Sequence, residues 1–164
     1  AAAAATRMDV QMMTLHTSGG LAMMQAAHEA VLETSHQLGQ QSPALLGVTV
    51  LTSLTNKELT EVGQEANVAR QVERLAHLAV QAGLRGLVCS PLELAGLRPL
   101  IPEDMILVTP GIRSTPDEAH DQKRTLSARE ALDAGANWIV VGRPITDAAE
   151  PHAAAEAIID SLGR

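Results

Sequence analysis

Five short apolar runs, each followed by a longer stretch of mixed polarity, leave this chain few folds to choose from. The runs are residues 10–15 (ending at His16), 44–51, 86–89, 105–108 and 138–141. Their apolar character is nearly continuous, as expected of strands covered on both faces of a parallel sheet. The intervening stretches carry helical spacing. Leu21, Met24, His28, Val31, Leu32 and Leu38 share one helix face. Val68, Val72, Leu75, Ala76 and Ala79 form a cleaner stripe, and Pro151, Ala155, Ile158, Ile159 and Leu162 another. Start signals agree: Ser90-Pro91-Leu92-Glu93 and Ser127-Ala128-Arg129-Glu130 read as capping boxes, and Pro151 is placed to open the last helix. Gly83 and Gly135 suit left-handed helix ends. A β-α order repeated five times means a parallel sheet covered by helices. An open doubly wound sheet would be complete at 164 residues. A (β/α)8 barrel needs about 250 and would here be incomplete.

Composition narrows the function classes. The length suits one domain, and 46% hydrophobic residues suffice for a core. One Trp with no Tyr or Phe argues against stacking platforms for bases or sugars. A net charge of −7 argues against a nucleic-acid backbone as the main partner. The single cysteine, Cys89, excludes an intrachain disulfide framework and reads as a small buried hydrophobe in reducing, cytoplasmic surroundings. No apolar run reaches membrane-spanning length. Residues 1–5 are too short for a signal peptide, and without an initiator Met the chain looks cut from something longer.

In both architectures ligands sit where parallel strands end at their carboxyl side. After the fourth and fifth runs come Arg113, within Thr109-Pro110-Gly111-Ile112-Arg113, and Arg143, within Gly142-Arg143-Pro144-Ile145-Thr146. Taken singly, either arginine serves as well as a cap or as a partner of Asp121 or Glu118. Together, beside a glycine whose N–H a ligand can approach, they form a natural phosphate site. Gln122, in a long polar loop, is a candidate lid, although a solvated loop residue explains it as well. His16 reads as a hydrogen-bonded core histidine, Gly19-Gly20 as a strand-to-helix turn, and Met12, Met13, Met23 and Met24 as core filler. His28, His36, His77 and His152 lie on helices without metal-ligand spacing, so no metal site is expected. The lysines are Lys57 and Lys123, and no carboxylate falls at a strand's carboxyl end. The pattern is one of ligand anchoring without obvious proton-transfer chemistry.

The segments His16-Thr17-Ser18-Gly19-Gly20, Val48-Thr49-Val50-Leu51-Thr52-Ser53, Val88-Cys89-Ser90, Val108-Thr109-Pro110-Gly111-Ile112-Arg113, Asp121-Gln122-Lys123-Arg124 and Val141-Gly142-Arg143-Pro144-Ile145-Thr146 together resemble bacterial orotidine 5′-phosphate decarboxylases over essentially the whole chain. The resemblance implies a (β/α)8 barrel, homodimers, and decarboxylation of orotidine 5′-monophosphate to uridine 5′-monophosphate without metal or organic cofactor. It implies that Arg113, Gln122, Gly142 and Arg143 bind the phosphate end and that Thr52 contacts the pyrimidine.

The departures are equally informative. The family's Asp-x-Lys-x-x-Asp motif, whose Lys protonates the carbon that loses CO2, does not occur here. Asp121-Gln122-Lys123 matches its first spacing by chance, and Leu126 stands where the second Asp should be. The earlier ribose-contacting Asp and Lys are missing as well. Residues 1–164 are therefore expected to form a single partial barrel domain. It would hold strands four to eight with their helices and lack the first three β-α units, roughly 25–30 residues each. No catalytic residue is assigned to it. Its rivals are a phosphate- or nucleotide-binding module without catalysis and another phosphosugar enzyme of the same superfamily, such as a hexulose phosphate synthase. Strand edges exposed by an open barrel predict self-association, or N-terminal residues rearranged to cover the gap.

Overall fold

The computed structural model describes residues 1–113 and 125–163. Five parallel strands, β1 (Met12–His16), β2 (Ala44–Val48), β3 (Gly86–Val88), β4 (Ile106–Thr109) and β5 (Trp138–Ile139), lie side by side in sequence order. Each neighbouring pair is joined in parallel, for example Gly47 with Leu87, Leu87 with Leu107, and Thr109 with Ile139. Parallel neighbours require a crossover, which the helices supply. The helices are α1 (Ala2–Thr6), α2 (Leu21–Leu38), α3 (Asn56–Glu61), α4 (Val68–Gln81), α5 (Leu94–Leu97), α6 (Ala128–Asp133), α7 (Arg143–Thr146) and α8 (Pro151–Ser161). A strictly sequential order does not belong to a doubly wound sheet, which reverses direction at a switch point. It is the order of a (β/α)8 barrel, of which five strands form an incomplete part.

The two faces of the sheet are covered unequally. Leu45, Leu87 and Leu107 point to the face packed under the helices and join Val72, Leu75, Ala76 and Ala79 of α4 in the main core. On this face a side chain at Gly47 would press on Thr17, Leu84 and Ala79. The opposite face carries Leu46 and Val108, buried, with Val48, Val88 and Ile106 only half-buried. The expectation of strands buried on both faces therefore holds best in the centre of the sheet. At the edges it fails: Thr14 and His16 on β1 and Trp138 on β5 are exposed, as is Val140 just beyond β5. An edge strand has a neighbour on one side only, so fewer atoms cover it.

Helix ends follow the sequence signals. Ser90–Glu93 and Ser127–Glu130 form reciprocal capping boxes, and so does Thr55–Glu58, which the sequence reading did not single out. The Ser127 hydroxyl and then its N–H, both donating to Glu130, hold that carboxyl below its ordinary value. Gly83 and Gly135 take φ of 76° and 106° after α4 and α6. On α2 the buried line runs through Met24, Val31 and Ser35, with Thr34 beside it. Leu32 and Leu38 are exposed, contrary to the spacing argument, because Leu32 lies off that line and Leu38 sits in the last turn before Gly39. Met23 is also exposed, its terminal methyl lying over Gly19, so only Met24 of that pair is core. On α8 Ile158 packs inward, as does Leu162 just past its end, whereas Ile159 faces out.

A polar knot fastens the amino-terminal ends of β4 and β5. The Asn137 Oδ1 accepts the Leu107 N–H at 2.7 Å, and the Asn137 N–H donates to the Leu107 carbonyl at 2.8 Å. The Arg98 guanidinium donates to the carbonyls of Glu103, Met105 and Gly135 and to Asn137 Oδ1, at 3.1–3.3 Å. Asn137→Ala removes the acceptor of a fully buried N–H, so a loss of about 1–3 kcal/mol is expected. Denaturant melts of the two chains measure it, and an unchanged midpoint would contradict the account.

Candidate functional site at the carboxyl ends of the strands

The strands end on one side, and there the backbone is held by threonines. The Thr17 hydroxyl, just past β1, donates to the Val48 carbonyl of β2 at 2.7 Å. Thr49, just past β2, donates through its hydroxyl and its N–H to Val88 of β3, both at 3.1 Å. Thr109, the last residue of β4, donates from its hydroxyl to the Cys89 carbonyl at 2.6 Å. All three are buried. Each hydroxyl extends strand pairing by a step where the backbone ladder stops. A β-branched threonine closing an apolar run was the signal available for them, and the sequence reading passed over it.

Beyond this rim come the candidate ligand-binding residues. Arg113 lies four residues past β4 and is only 7% exposed. Its N–H donates to the Leu126 carbonyl at 3.0 Å, and its guanidinium donates to the Ile112 carbonyl at 2.6 Å. Burying a guanidinium is costly unless it is well partnered, which makes its place at a strand terminus informative. Gly142 and Arg143 follow β5 directly. The Gly142 carbonyl accepts the N–H groups of Ile145 and Thr146 and so opens the short helix α7. Among the described residues, a side chain at Gly142 would meet no atom within 4 Å, so they leave the space above its backbone open. Arg143 is half-buried.

Arg113, Gly142 and Arg143 therefore share the carboxyl side of the paired strands β4 and β5. Thr52, 8% exposed, lies past β2, and β3 stands between that strand and β4. Gln122 lies outside the described residues, as do Asp121 and Glu118. His16 is exposed rather than a core histidine, because β1 is an edge strand. It lines a cavity of about 120 Å³ with Ser18, Thr49, Leu54, Leu59 and Gln64. Gly19-Gly20 is the expected turn: a short 3-10 segment ends at Gly19, and Gly20 at φ 86° opens α2. Cys89 is buried, one residue past β3. Lys57 on α3 is exposed and lies 3.9 Å from Glu61. Among the described residues, no His, Cys, Asp and Glu cluster could hold a metal ion, and no helix is long and apolar enough to cross a membrane.

Comparison with known proteins agrees with this geometry. A relative from Opitutus terrae named orotidine 5′-phosphate decarboxylase is 50% identical over 158 residues, 96% of this chain and 66% of its own length. One of the same name from Hydrogenovibrio crunogenus is 46% identical over 161 residues, 98% of this chain and again 66% of its own length. This chain thus spans about two thirds of the length of the curated relatives it matches. The crystal structure of orotidine 5′-phosphate decarboxylase from Lactobacillus acidophilus superposes with a TM-score of 0.82 at 35% identity, covering 99% of this chain and 68% of that one. An uncharacterized conserved protein from Geobacillus kaustophilus superposes with a TM-score of 0.78 at 26% identity. A family model described as orotidine 5′-phosphate decarboxylase / HUMPS family matches residues 1–158, and the chain belongs to that family.

Proposed function

We propose that this chain is the phosphate- and pyrimidine-binding portion of an orotidine 5′-phosphate decarboxylase, acting on orotidine 5′-monophosphate and releasing uridine 5′-monophosphate and CO2. The observation that carries the reading is the placement of a buried Arg113 and a half-buried Arg143 beyond the ends of two paired strands, with open space over Gly142 between them in the chain. A phosphate dianion matches such a site: guanidinium forks donate to two oxygens at once, and a backbone N–H reaches a third. In this reading Arg113, Gly142, Arg143 and Gln122 hold the phosphate, and Thr52 meets the pyrimidine.

Decarboxylation breaks a carbon–carbon bond, and the electron pair left on the ring carbon must be protonated. No lysine or carboxylate of this chain's described strand ends is placed to do that. The proton donor thus belongs to the family's Asp-x-Lys-x-x-Asp motif, which this sequence does not contain. No residue here is assigned to a metal or organic cofactor. We place the protein in the cytoplasm, as a single partial barrel domain that forms homodimers. A monodisperse monomer in light scattering would contradict that association.

Calorimetric titration of the chain with uridine 5′-monophosphate tests the binding role. Saturable one-site binding is the expected result, and no heat at millimolar nucleotide would refute it. In a parallel assay with orotidine 5′-monophosphate, beside a full-length relative, the chain should show no turnover. Turnover by the chain itself would show that the proton donor has been wrongly placed.

A further inference from the structure

The threonine bonds at the strand ends are not equivalent, and Thr109 occupies the junction of three strands. Its hydroxyl donates to the Cys89 carbonyl past β3 at 2.6 Å, while its own carbonyl accepts the Val140 N–H past β5 at 2.9 Å. The Cys89 N–H in turn donates to the carbonyl of Val108 at 3.1 Å. Thr109 is completely buried. It is also the last β4 residue in the sheet ladder before Arg113, four residues on. Val140 lies two residues before Gly142. Both arms of the candidate phosphate site therefore leave the sheet from bonds that meet at this one residue.

We propose that Thr109 is a positioning residue: its hydroxyl ties the end of β4 to Cys89, and so holds in place both the start of the Arg113 segment and the Thr109 carbonyl that receives the Val140 N–H ahead of the Gly142–Arg143 turn, which sets the spacing of the phosphate donors. The claim rests on the phosphate reading above. A donor array holds its ligand only if its members are fixed before the ligand arrives, because ordering them on binding subtracts from affinity. Thr17 makes a similar bond on the far side of the sheet, between β1 and β2, and serves neither arginine. It provides the internal comparison.

The test uses Thr109→Val, which keeps the shape and removes the hydroxyl, with Thr109→Ser and Thr17→Val beside it. Each is assayed below its own Tm for uridine 5′-monophosphate affinity and for amide hydrogen exchange. Thr109→Val should bind about tenfold more weakly, the equivalent of one hydrogen bond, and exchange faster at residues 140–143. Thr109→Ser should restore affinity to within about threefold, and Thr17→Val should stay within about threefold of the wild type although it too loses a buried bond. A purely structural threonine would lower Tm and leave affinity and local exchange alone. Unchanged affinity in Thr109→Val, or equal losses in Thr109→Val and Thr17→Val, would overturn the positioning role while the nucleotide reading stands. A wild-type chain that binds no nucleotide would overturn the nucleotide reading, and with it the ligand for which Thr109 is said to hold the donors.

Discussion

Arg143→Ala is expected to weaken uridine 5′-monophosphate binding about 30-fold while moving Tm by no more than about 2 °C. The size follows from the bond type. A hydrogen bond to a charged group is worth about 1.5–3 kcal/mol, and tenfold in affinity corresponds to about 1.4 kcal/mol. The selectivity follows from position. Arg143 is half-buried at the start of a four-residue helix, and the hydrophobic core lies elsewhere. Arg143→Lys keeps the charge but not the planar fork, so its affinity should fall between the two. Arg113→Ala should behave differently. Its guanidinium is buried and bonded to the Ile112 carbonyl, so that variant should lose stability as well as affinity. Calorimetry with thermal melts separates the cases. An Arg143→Ala chain that binds the nucleotide like the wild type would remove the central support for the site.

Gly86→Ala should destabilise the chain by about 3 kcal/mol, the upper range for forcing atoms into a packed interior. Gly86 sits in β3, the middle strand, opposite Ile106. An added Cβ would stand 2.6 Å from the Ile106 carbonyl oxygen, 2.6 Å from Leu46 Cδ2 and 3.0 Å from Ile106 Cβ. The leucine methyl has some freedom to turn away. The carbonyl has little, because its residue is held in the ladder, with the Ile106 N–H donating to the Arg85 carbonyl at 3.0 Å. Gly142→Ala is the matched comparison. Its Cβ meets none of the described residues, so its packing cost should be small, while nucleotide affinity should fall because the methyl occupies the approach to the backbone N–H. Denaturant melts decide the first variant and calorimetry the second. Equal stability of Gly86→Ala and the wild type would show that the β3–β4 contact is looser than described.

Much of the architecture was legible because it is written in local pattern. The continuous apolar runs at 44–48 and 86–88 are strands because a parallel sheet covered by helices leaves no polar face to encode. The stripe on α4 identifies its buried face because Val72, Leu75, Ala76 and Ala79 recur at helical spacing. The capping boxes at Ser90 and Ser127 are readable because each closes within three residues. Arg113 and Arg143 were legible as a pair because parallel topology sends every strand end to the same side. What local pattern could not show was which strands form edges. His16 therefore read as a core residue, and Trp138 as a buried one, until the pairing order showed a neighbour on one side only.

From the sequence alone came the repeated β-α order, the helix caps and the family's ligand-binding motifs, all set by residues within a few positions of one another. The β-α alternation by itself could not separate an open doubly wound sheet from part of a barrel; the family resemblance implied the barrel, and the strand order of the tertiary structure shows it, because the two folds differ only in which strands become neighbours. Only the tertiary structure decided that three threonines, 32 and 60 positions apart along the chain, act at one rim, since hydrogen bonds of such span depend on register between strands.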